Sequence, residues 1–161
     1  MSDASARSAR RTLVLGATAL CVGAAALAAP PVNALKGHAP ESGTDAAIRG
    51  YDTVAYFTDA RAVPGLDAHS TEWNGARWKF ASAEHLALFK ASPEKYAPQY
   101  GGYCAFGVAQ DHLVGVEPDK FKIIDGKLYL NYNAKVQDAW LKDPDGFIRQ
   151  ADTKYPQLLK Q

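Results

Sequence analysis

Two dipeptides constrain this chain more than any other feature. Asn74-Gly75 sits between Thr71-Glu72-Trp73 and Ala76-Arg77-Trp78-Lys79-Phe80, and Asp125-Gly126 sits between Phe121–Ile124 and Lys127–Leu130. Both central residues of a type I′ turn need positive φ, which Asn-Gly and Asp-Gly accept, so each dipeptide between strand formers predicts a tight antiparallel hairpin. Trp78 and Phe80 alternate with Arg77 and Lys79, as one half-buried strand requires. Tyr51–Thr58 is also rich in strand formers and reads as a further strand.

Between and after the hairpins the pattern changes. Ser82 is a helix cap, Glu84 suits a first turn, and Leu86, Leu88 and Phe89 supply apolar positions. Ser92-Pro93 starts a short turn that Pro98 closes. Asn131 or Asn133 caps a helix bearing Val136, Ala139 and Trp140, which Pro144 breaks. A last helix carries Phe147, Ile148, Ala151 and Tyr155 and is expected to end at Pro156. The stretch from Ala97 through Gln110 has no charge and reads as a loop of small and aromatic residues. Strands, helix, loop, hairpin and helices in that order predict an α+β fold: a small antiparallel sheet of hairpins packed with three to four short helices. All eight Tyr, six Phe and three Trp fall between residues 48 and 159, enough to core one domain there.

The first residues read as an address. Arg7, Arg10 and Arg11 precede an uncharged run from Thr12 to Ala29, the layout of a secretory signal. Small-x-small cleavage patterns occur at Ala26-Leu27-Ala28 and at Val32-Asn33-Ala34. Cleavage is expected after Ala34, because the polar segment from Lys36 to Thr44 begins just beyond it. The expected division is a signal at 1–34, a flexible lead-in at 35–47 and one domain at 48–159, exported to the periplasm or beyond. The run is about long enough to span a bilayer, so an uncleaved leader is the one expected membrane contact. Arg10-Arg11 fits either the export route for folded proteins or an ordinary basic leader.

Removing three arginines and one aspartate, a net +2, takes the formal charge of the whole chain from +1 to −1. Neither value supplies the basic excess that nucleic-acid binding needs. Met1 and Cys21 go with the leader, so the mature chain has one thiol, Cys104, and no thioether. An internal disulfide and a thioether copper site are both excluded. A lone Cys in an oxidising compartment is buried, ligating or reactive.

From Trp78 to Tyr96 the sequence resembles the YHS domain. Trp78-Lys79-Phe80, Ser82, Phe89, Pro93 and Tyr96 follow that family's aromatic-x-Phe-Cys-Ser, Phe and Pro-x-x-Tyr pattern in register. The wider chain, from Gly50-Tyr51-Asp52 through Tyr100–Ala105 to Leu128–Asn133, resembles the exported bacterial branch of the same family. The resemblance implies a compact α+β module and metal handling. The family's cysteines are missing, however. Its Cys-Ser-x-x-Cys stands here as Ala81-Ser82-Ala83-Glu84-His85, and Tyr51-Asp52-Thr53-Val54-Ala55 replaces its upstream Cys segment. The fold carries over on this resemblance; the metal site does not. Selenocysteine-containing members of that branch point to thiol chemistry as well.

Three kinds of site follow. Cys104, with His112 beside Asp111 and with His85 at a family ligand position, suits copper or zinc. Cys104 alone suits thiol redox chemistry, if a group from elsewhere in the fold lowers its pKa, since no charged residue lies within six positions. Gly101-Gly102 allows close backbone approach and so access to the sulfur. Tyr51, Tyr100, Tyr103 and Tyr132 suit a groove for a small molecule or a protein, and equally suit core packing. His38 and His69 are isolated. Asp52, Asp125 and Asp145 read as strand-edge, turn and cap residues. No nucleophile elbow, phosphate loop or Cys-x-x-Cys is present. A binding module is expected over an enzyme.

Overall fold

The computed structural model describes residues 29–34 and 46–161. Residues 1–28 of the expected leader and residues 35–45 of the expected lead-in, His38 included, lie outside the described residues.

Both hairpins form. β1 (Leu66–Trp73) pairs antiparallel with β2 (Ala76–Phe80), and β3 (Phe121–Ile124) pairs with β4 (Lys127–Leu130). The turn residues take the left-handed conformation that type I′ geometry demands: φ is 49° at Asn74 and 78° at Gly75, and 50° at Asp125 and 72° at Gly126. The hairpins stay separate, as two two-stranded sheets. Six α-helices complete the α+β fold among the described residues: α1 (Ala55–Thr58), α2 (Ala83–Ala91), α3 (Pro93–Tyr96), α4 (Ala105–Ala109), α5 (Ala134–Trp140) and α6 (Pro144–Leu158). Among these residues no helix is long and apolar enough to cross a membrane.

Local chemistry explains most of the boundaries. The Ser82 hydroxyl accepts from the His85 N–H, Asn133 Oδ1 from the Val136 N–H, and Asp143 Oδ1 from the Gly146 N–H, so α2, α5 and α6 each start on a side-chain cap. Asn133 rather than Asn131 caps α5. Pro144 opens α6 at its first turn, where a missing N–H costs nothing. Pro156 does not end that helix. It sits inside the last turn, and α6 runs on to Leu158. Tyr51–Thr58 is not a strand either. The Asp52 carboxylate Oδ1 accepts from the N–H groups of Val54 and Ala55, which starts α1 and overrides the strand propensity of the segment.

The core is in two parts. In the first, Trp78 and Phe80 of β2 meet Phe89 of α2, with ring centroids 5.1 Å and 4.9 Å apart. The second holds Tyr100, Tyr103, Val108, Tyr129, Trp140, Ala151 and Leu158. β4 separates them: Leu128 and Leu130 point into the first part and Tyr129 into the second, by the alternation of a strand buried on both faces. The chain around residue 104 is split in the same way, with Cys104 in the first part and Tyr103 and Ala105 in the second. Phe106 packs against both. The candidate site therefore stands at the seam of the core.

Candidate functional site

Cys104 is the N-cap of α4. Its Sγ accepts from the Gly107 N–H at 3.4 Å, and its thiol donates to Asn131 Oδ1 at 3.9 Å. A parallel bridge joins Cys104 to Leu130, and its N–H donates to the Val114 carbonyl. These contacts fix the residue between β4 and the segment after α4. Asn131 is itself fully buried, and its Nδ2 has no partner among the described residues. Burial pushes the Cys104 thiol above its ordinary value of 9.0; the backbone N–H groups of Gly107, Tyr132 and Phe106 oppose the shift without cancelling it. The sulfur is therefore a neutral thiol near pH 7.

A pocket of about 370 Å³ opens over this residue. Cys104, Phe106, Gly107, Gln110, His112, Val114, Tyr132 and Val136 contribute to its lining. Cys104 stands at its floor with 0 % of its own surface open to water. Most of the wall is apolar or aromatic; Gln110 and the exposed His112 bring polar groups to it. This is the composition of a small-molecule site: an apolar body with a few polar groups that set orientation. The fold brings together three of the residues singled out from the sequence, Cys104, His112 and Tyr132. Asp111, the carboxylate beside His112, is already bound to Lys154 Nζ at 2.7 Å, and that ammonium also donates to the Ala109 carbonyl.

His85 does not line the pocket. Its Nδ1 lies 2.7 Å from Asp52 Oδ2 and its Nε2 lies 3.3 Å from the Thr58 hydroxyl. Asp52 is fully buried, and its Oδ2 also accepts from the Ala81 N–H at 2.8 Å. One carboxylate thus joins the start of α1, the end of β2 and the side of α2. This partner of His85 was read from the sequence as a strand-edge residue. Among the described residues, no group of three or more His, Cys, Asp or Glu is placed to hold a metal ion.

The tyrosines are divided between the two halves of the core. Tyr100 and Tyr103 are buried in the second part: the Tyr100 hydroxyl donates to Asp152 Oδ1 at 2.9 Å, and the Tyr103 hydroxyl donates to the Pro30 carbonyl at 3.1 Å. Desolvation raises the pKa of both. Tyr51 and Tyr132 pack half-buried against the first part, and of the four only Tyr132 reaches the pocket. Gly101-Gly102 does admit a close approach, but from inside the chain. A Cβ at Gly101 would strike the Pro31 carbonyl, and one at Gly102 would strike Ile48 Cδ1. The chain matches no family model, no curated protein and no solved structure.

Proposed function

We propose that this chain is an exported YHS-like binding domain and that the pocket over Cys104 takes a small, mainly apolar molecule bearing one polar group. The observation that carries the reading is the convergence of Phe106, Val114, Tyr132 and Val136 around a space of about 370 Å³ that the polar side chains of His112 and Gln110 also line. No step of chemistry is assigned to it. A neutral, enclosed thiol is a poor nucleophile, which weighs against the redox alternative. The test uses anilinonaphthalene sulfonate, an apolar fluorophore with one anionic group. Binding with dye fluorescence that Val136→Trp abolishes and Leu66→Ala preserves is the expected result. Equal binding by wild type and Val136→Trp would overturn the assignment.

A copper or zinc ion is the second reading, favoured by Cys104 and His112 sharing one pocket. Two such ligands fall short of the four that a closed zinc site needs, so a soft, low-coordinate ion such as copper(I) fits better than zinc. Ligation would have to drive off the thiol proton, so affinity would rise with pH. Protein equilibrated with copper(I) and dialysed should then retain one ion per chain, and Cys104→Ala none. Metal-free wild type after dialysis ends this reading.

A further inference from the structure

Residues 30–34 belong to the folded domain. Val32 and Asn33 are 2 % and 1 % exposed. The Tyr155 hydroxyl donates to the Pro31 carbonyl at 2.6 Å, and the Tyr103 hydroxyl to that of Pro30 at 3.1 Å. Asn33 does more. Its N–H donates to the Gly101 carbonyl at 2.8 Å, its Nδ2 donates to the Gly102 carbonyl at 2.8 Å, and its own carbonyl accepts from the Ile48 N–H at 2.9 Å.

The two segments it joins are both left-handed turns. Ile48, Arg49 and Gly50 have φ of 50°, 56° and 82°, and Tyr100, Gly101 and Gly102 have 55°, 60° and 83°. Non-glycine residues in that region, a β-branched one above all, persist only where surrounding contacts hold them. Asn33 provides such contacts to both turns, and the second turn leads directly into Tyr103 and Cys104. The segment 30–34 is thus a strap that fixes the approach to the pocket floor.

Resting on the export reading, we propose that the leader is removed after Ala28, so that the mature chain begins at Ala29 and keeps the strap. Of the two small-x-small patterns, Ala26-Leu27-Ala28 lies just before the packed segment, whereas Val32-Asn33-Ala34 lies within it. Cleavage after Ala34 would take away every contact described above and leave Gly101, Gly102 and Ile48 with unpaired backbone groups. For a domain exported already folded, that second pattern is also enclosed when the peptidase meets it.

The full chain, expressed with a C-terminal tag in a bacterium that has both export routes, tests this by N-terminal sequencing and intact mass of the periplasmic product. A start at Ala29 is expected, with loss of processing in Ala28→Leu. A wild-type product starting at Leu35 would overturn the proposal while leaving the export reading intact. An intact chain confined to the cytoplasm would overturn the export reading and this proposal with it.

Discussion

The Asp52 carboxylate, closed to solvent, stands 2.7 Å from Nδ1 of His85, a residue thirty-three positions further along the chain. The same group accepts from the backbone N–H groups of Val54, Ala55 and Ala81. Four donors converge on two oxygens, and an amide cannot replace them, because its nitrogen side would face donors. Asp52→Asn should therefore cost about 2–4 kcal/mol in urea unfolding, near the penalty for breaking a buried charge-assisted network. His85→Ala removes a single donor from a half-buried position and should cost less. An Asp52→Asn midpoint equal to the wild type would show that the carboxylate does not hold these elements together.

Stability should fall on the alkaline side. Burial raises the thiol of Cys104 above 9.0 and the phenols of Tyr56, Tyr100, Tyr103, Tyr129 and Tyr155 above 10.0. In each case the unfolded chain releases its proton first, so ionisation favours unfolding. The contribution is complete below the unfolded values and is lost as pH rises, first through 9 for the thiol and then through 10 for the phenols. Urea midpoints measured between pH 7 and 11 should decline in that order, and Cys104→Ala should flatten only the earlier part. A midpoint that holds steady to pH 11 would contradict the burial of these groups.

The same burial governs alkylation. With 0 % of its surface exposed and its thiol held neutral, Cys104 should react with iodoacetamide at pH 7.5 at least about a hundredfold more slowly in the folded protein than in urea. A small electrophile reacting at the rate of a free thiol would reopen the redox reading and show that the pocket floor opens readily.

What the sequence revealed and what it hid divide by range. The hairpins were legible because Asn74-Gly75 and Asp125-Gly126 carry their turn chemistry within two residues. Ser82 was legible as a cap for the same reason, and the cap of α5 was narrowed to Asn131 or Asn133, of which the structure uses Asn133. α4 was not: a five-residue helix with glycine at its centre and a thiol as its cap has no propensity signal of its own, and the core around it sets its form. Asp52 was misread because its segment has strand composition, and the reason for its burial lies on α2. Cys104, His112 and Tyr132 could each be named from the chain, but their meeting in one pocket depends on how β4, α4 and the following loop pack. The strap was hidden by its position, since a short Pro-Pro-Val-Asn run beside the uncharged stretch from Thr12 to Ala29 reads as a continuation of that stretch.

Glycine substitution isolates what the strap contributes. Gly75 and Gly101 both have positive φ, 78° and 60°. A Cβ at Gly75 meets nothing within 4 Å, whereas one at Gly101 runs into the Pro31 carbonyl and the Tyr155 hydroxyl. Gly75→Ala should therefore cost only the backbone term, about 1 kcal/mol. Gly101→Ala carries that term and must also push the strap away, which breaks the Tyr155–Pro31 and Asn33–Gly101 hydrogen bonds, for a total of about 3 kcal/mol. Adding Asn33→Ala to each variant gives the decisive comparison. The one bond described here that Asn33→Ala deletes is Asn33 Nδ2 to the Gly102 carbonyl, since the backbone bonds of residue 33 survive in alanine. In the Gly75→Ala background its full cost should appear, and in the Gly101→Ala background less should remain, because a strap pushed off Gly101 also carries Nδ2 away from the adjoining Gly102 carbonyl. Full additivity in both backgrounds would mean that the strap and the Gly101 turn are energetically independent.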